Sequence, residues 1–149
     1  MHTHLMQSHL FRLHRCGMVR SVELVDEWRE LLKRHAAVSC ALERALQDGH
    51  GLGMSEFELL DRMVELDRPK YRVQELADAV HLSQSASSRL VARLERAGLV
   101  TRLMCDQDRR GIFVALTEEG RRRQTEAMPT HRAVLEQTLR APLTSRCSG

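Results

Sequence analysis

Apolar residues recur at helical spacing from Ser21 onward. Leu24, Trp28, Leu31, Leu32, Ala36, Leu42 and Leu46 fall close to one stripe, which predicts a single long amphipathic helix over 21–47. The glycine-rich GHGLG at 49–53 ends it. Ser55 then suits the N-cap of a second helix, and Glu58 completes a capping box with it. Phe57, Leu59, Leu60, Met63, Val64 and Leu66 supply that helix's apolar side, and Pro69 stops it.

The pattern shortens after this. KYR at 70–72 reads as extended, VQELADAV at 73–80 as a short helix, and HLS as a tight turn. Ser83 is a good N-cap for QSASSRLVARLERAG at 84–98, which Gly98 closes at C′. On a helical wheel Ala86, Leu90, Leu94 and Ala97 share one face, with Val91 at its edge. Gln84, Ser85, Ser88 and Ala92 share the other, with Arg89 and Arg96 at its flanks. LVTRLM (99–104) and IFVALT (112–117) are β-like runs joined by a polar loop ending in Gly111, a hairpin pattern. Thr117 caps a last helix, and Glu118 and Glu119 suit the positive end of its dipole. Pro129 is expected to kink that helix or to start a new segment, and 141–149 reads as a frayed tail.

Composition narrows the class. A chain of 149 residues suits one domain, and 42% hydrophobic residues are enough for a core. Aromatics are only 3%, so that core must consist mainly of Leu, Val, Ala and Met. The net charge of +3 permits nucleic-acid binding without establishing it. No apolar run is long enough for a membrane span, and residues 1–18 lack the features of a signal peptide. The histidine-rich, aperiodic lead over 1–20 reads as a disordered extension, with Met18 as an alternative start. Cys16, Cys40, Cys105 and Cys147 are scattered without a CxxC pair, so neither a metal site nor a disulfide framework is expected. A reducing, cytoplasmic setting is the natural expectation. No cofactor is implied, and the absence of P-loop, GxGxxG, HExxH and nucleophile motifs argues against an enzyme.

The order helix, turn, helix, hairpin over 73–117 predicts a winged helix–turn–helix in a mainly α (α+β) chain. The first short helix braces the second, whose opposite face stays free for the major groove of double-stranded DNA. Gln84 can read an adenine edge, Ser85 and Ser88 can bond bases or phosphates, and Arg89 can grip a guanine or hold a phosphate. Arg93 joins them as a candidate contact. Arginines at the hairpin tip, Arg109 and Arg110, suit a narrow minor groove, and Asp108 can aim Arg110 by an ion pair.

The run LADAVHLSQSASSRLVARLERAGLV, followed by DRRGIFVALTEEG, resembles the MarR family of bacterial transcription regulators over roughly residues 21–140. The family's wing signature, D-x-R, five residues, then L-T, is met by Asp108, Arg110, Leu116 and Thr117. The resemblance implies a homodimer formed through the terminal helices (21–47 and 117–140) that binds a pseudo-palindromic operator. It implies a repressor released by a small aromatic or anionic ligand, or by cysteine oxidation. By position, Arg89 matches a recognition-helix arginine, and Arg109 with Arg110 the wing pair. Relatives usually carry a further C-terminal dimerisation helix. Here little chain follows Arg140, so the dimer is expected to lean on the two helices named.

Several residues carry both a plain and a specific interpretation. Trp28 reads as core or dimer packing, or as a wall of an effector pocket with Glu56 as its acid. Cys105 at the wing base lies among arginines that lower a thiol pKa, which would make an oxidant-sensing regulator, but Asp106 opposes this. Cys40 is expected to be a small buried hydrophobe. The run Arg121–Arg123 reads as a solvated helix face or as a phosphate contact. A winged helix that serves only protein interaction is the other alternative function.

Overall fold

The computed structural model describes residues 7–103 and 112–140, with side chains from residue 22 on. In chain order the elements are α1 (Gln7–His50), α2 (Met54–Leu66), β1 (Tyr71–Arg72), α3 (Val73–Ala79), α4 (Gln84–Arg96), β2 (Val100–Leu103), β3 (Phe113–Leu116) and α5 (Glu118–Arg140). The described residues fall into two compact units divided between Ala37 and Val38.

Two helices run further than their patterns predict. The helix expected over 21–47 extends from Gln7 to His50, so most of the lead expected to be disordered has a helical backbone. No proline interrupts it there, and Gly17 costs only about 1 kcal/mol in a helix interior. Helix α5 passes unbroken through Pro129. That residue is exposed, so the carbonyl that loses its helical partner can turn to water.

In the unit from Val38 onward the core gathers the buried faces of α2, α3 and α4 with the inner face of the sheet. Leu46, Leu59, Leu60, Met63, Leu76, Leu90, Val91, Leu94 and Val114 are at most 1% exposed. The sheet order is β1-β3-β2, all antiparallel, with Tyr71 opposite Val114 and Val100 opposite Leu116. Tyr71 is buried as well. Its hydroxyl donates to the Met63 carbonyl at 2.5 Å and accepts the Arg68 N–H at 2.7 Å, which ties the end of α2 to the first strand.

Helix α2 begins one residue before Ser55. Its N-cap is Gly53, whose N–H donates to Glu56 Oε2 at 2.9 Å. The Met54 N–H donates to Glu43 Oε2 at 2.7 Å. Glu56, rather than Glu58, therefore supplies the side-chain half of the capping box.

Candidate nucleic-acid interface

Helix α4 is set by its ends. Ser83 Oγ accepts the Ala86 N–H at 3.3 Å, as an N-cap should. At the other end Gly98 takes φ +73°, where a side chain is disfavoured. The Gly98 N–H reaches the Glu95 carbonyl and the Leu99 N–H the Leu94 carbonyl, both at 2.9 Å, the paired bonds of a Schellman stop.

The buried side of α4 is Ser87, Leu90, Val91 and Leu94. This differs from the expected face in four respects. Val91 lies at its centre, Ala86 is only half-buried, Ala97 is exposed, and Ser87 is fully buried. Ser87 escapes the usual cost of a buried hydroxyl because its Oγ donates to the Gln84 carbonyl at 3.0 Å. A small residue there allows close packing.

The opposite side holds the expected contacts. Gln84, Ser85 and Arg89 are exposed, and Ser88 is half-buried. Arg89 Nε donates to the Ser85 carbonyl at 3.2 Å, so the side chain lies back along its own helix. Arg93 is also exposed, but its Nε donates to Glu56 Oε1 at 3.1 Å. Glu56 thus spends one oxygen on the α2 N-cap and the other on α4. With Glu43, Gln47, Gly53 and Ser55, this pair lines a cleft of about 370 Å³.

Strands β2 and β3 form the two sides of the wing, with Arg102 opposite Val114 and Leu103 opposite Phe113. Asp108, Arg109, Arg110 and Cys105 lie outside the described residues. The sheet contributes cations that the sequence pattern did not single out. Lys70 Nζ and the Arg72 guanidinium each lie 4.9 Å from the centre of the Phe113 ring, within cation–π range. The alternation of K-Y-R with a buried Tyr71 is the signal that puts both on the outer face.

Thr117 joins the wing to α5. Its Oγ1 donates to the Gly98 carbonyl at 2.7 Å and accepts the Gly120 N–H at 3.0 Å, and its own N–H donates to the Leu99 carbonyl at 3.1 Å. The arginines that follow are engaged within the chain. Arg121 pairs with Asp67 at 2.9 Å, Arg122 with Glu119 and Glu126 at 2.5 Å each, and Arg123 donates to the His50 carbonyl.

Trp28 and Glu56 belong to different units, and Trp28 is 57% exposed. Cys40, expected to be buried, is exposed. The turn of α1 around it packs Val38, Ser39 and Leu42 more deeply than Cys40 itself. Among the described residues no cluster of His, Cys, Asp or Glu could hold a metal ion, and no helix is long and apolar enough to cross a membrane.

The family model described as MarR family matches residues 52–112. The solved structure of AbsC, a MarR family transcriptional regulator from Streptomyces coelicolor, is 35% identical, with 78% of this chain and 80% of that one covered and a TM-score of 0.69. The chain belongs to the MarR family. A second MarR regulator from Streptomyces coelicolor, Sco3205, solved in complex with DNA, is 34% identical over 82% of this chain and 78% of that one, with a TM-score of 0.72. The transcriptional regulator BldR from Sulfolobus solfataricus is similar at 26% identity, 78% and 82% coverage and a TM-score of 0.70. No functionally curated protein matches the chain. MarR proteins are transcription regulators rather than enzymes, and the winged helix formed here by α3, α4 and β1–β3 is the MarR fold.

Proposed function

We propose that this MarR protein binds double-stranded DNA sequence-specifically as a homodimer, with one winged helix–turn–helix per subunit over residues 73–117. The observation that carries this is the division of α4. One side is sealed into the core by Leu90, Val91 and Leu94, while Gln84, Ser85 and Arg89 stand exposed on the other. These are side chains that pair with base edges and phosphates, and small residues at the helix start let its backbone approach the groove. Arg109 and Arg110, aimed by Asp108, would reach the minor groove beside it. The relative Sco3205 has been solved with DNA, which supports the same partner here.

The dimer reading is supported by α1. Val22, Leu24, Val25, Trp28, Leu31 and Leu32 are 43–65% exposed, an apolar stripe of the kind that marks an interface. A second copy meeting it through residues 21–47 and 117–140 would cover that stripe. Repression, and release by a small aromatic or anionic ligand, rest on the family resemblance. Selection of bound sequences from a random duplex pool tests the proposal. Recovery of an inverted repeat with half-sites about one helical turn apart is expected, and recovery of no consensus would refute sequence-specific binding.

A further inference from the structure

The Arg93–Glu56 pair has a geometry that a DNA contact would not need. Arg93 lies on the same stripe of α4 as Ser85 and Arg89, spaced four residues apart, so its place on the wheel alone marks it as a phosphate contact. Yet its Nε is bound to Glu56 Oε1 at 3.1 Å, while Glu56 Oε2 holds the Gly53 N–H at 2.9 Å. A phosphate approaching this guanidinium would also approach the Glu56 carboxylate. Repulsion from that carboxylate offsets the attraction. Glu43 adds a second carboxylate in the same cleft, where its Oε2 holds the Met54 N–H at 2.7 Å.

We infer that Arg93 is a positioning residue: through Glu56 it latches the end of the recognition helix α4 to the N-terminus of α2, and it does not itself contact DNA. The latch is well founded at its far end. Glu56 is only 20% exposed at its side chain and is fixed by a backbone donor, so it offers Arg93 a stationary partner. Helix α4 is thirteen residues long and is fastened by apolar packing, which resists separation better than it resists rotation about the helix axis, and by the Glu95–Arg102 pair at 3.0 Å, which ties its last turn to β2. A charge-assisted bond from a solvent-side residue resists that rotation directly. The angle at which Gln84, Ser85 and Arg89 meet the base edges then depends on a pair that touches no base.

This inference rests on the DNA-binding reading above. Its test compares Arg93→Ala, Glu56→Gln and the double variant on a selected operator and on a random duplex over a range of salt. Glu56→Gln keeps an acceptor for Gly53. A latch predicts that each single variant weakens operator binding, by up to about fivefold for a half-exposed pair. The double variant is no worse than the singles, random-duplex affinity is unchanged, and the slope of log affinity against log salt stays at its wild-type value. If Arg93 holds a phosphate instead, Arg93→Ala lowers the slope by about one and weakens both duplexes, while Glu56→Gln strengthens binding. Either of those results overturns the latch. A wild-type chain that selects no operator overturns the DNA-binding reading, and the latch with it.

Discussion

Gly120 and Leu99 meet backbone to backbone. A β-carbon added at Gly120 would lie 2.1 Å from the Leu99 carbonyl oxygen and 2.8 Å from Leu116 Cδ1. Leu99 follows the Schellman stop of α4, and Gly120 lies in the first turn of α5, so this contact locks the recognition helix to the helix that follows the wing. Gly120→Ala should therefore destabilise the chain by roughly 1–3 kcal/mol, through forced separation of two backbones rather than through helix propensity. Chemical denaturation checks this. An unchanged midpoint would show that the start of α5 is free to move.

Arg89 is a recognition-helix cation with no carboxylate partner among the described hydrogen bonds and ion pairs, and its Nε donates to the Ser85 carbonyl. Breaking that bond to reach DNA costs little, because the helix carbonyl keeps its place in the backbone ladder. Arg89→Ala should weaken operator binding by about 1–3 kcal/mol and relax specificity at one base position. A gel-shift titration against matched and scrambled sites separates the cases. Equal losses on both would assign Arg89 to phosphate alone.

His131 stacks on Phe57 with ring centroids 4.5 Å apart. Burial holds its pKa below the ordinary 6.5, with Arg132 adding to that effect and Asp61 opposing it. The sign follows from linkage. The unfolded chain binds this proton first, so the folded state loses stability as pH falls below about 6.5, and the loss levels off once the lower folded-state value is passed. Thermal midpoints measured from pH 7.5 to 5 should fall less steeply in His131→Leu than in the wild type. Identical slopes would mean that His131 is solvated in solution.

The apolar stripe of α1 gives a prediction about assembly. Leu31 and Trp28 are 59% and 57% exposed, and the proposed dimer would cover them. Leu31→Arg should shift a dimer toward monomer in sedimentation or light scattering, without loss of helical signal. A monomeric wild type at micromolar concentration would remove the basis for paired recognition helices.

What could be read from the sequence was local. Ser83, Gly98 and Thr117 act as caps and stops where their neighbours predict, because each works through bonds to residues a few positions away or at the element boundary. The start of α2 was harder to read. GMSEFE contains both Gly53-x-x-Glu56 and Ser55-x-x-Glu58, and distant partners select between them: Glu43 and Arg93 are 11 and 37 residues from the groups they bind. The same distance hid the ion pair of Arg93 with Glu56, on a residue that the sequence pattern offers as a DNA contact. The burial of Ser87 has a local cause: the Gln84 carbonyl on its own helix accepts its hydroxyl and allows it into the core. Cys40 was read from its type, while its place on α1 leaves it exposed.

Salt dependence of duplex binding tests the central claim most directly. A protein that sets arginines against the phosphates of a DNA duplex must displace counterions to do so. With about six phosphates neutralised, affinity should fall about a thousandfold between roughly 50 and 200 mM salt, with the selected operator keeping its advantage over random duplex. An affinity that stays flat across that range, or no binding at the lowest salt, would contradict DNA binding by this winged helix.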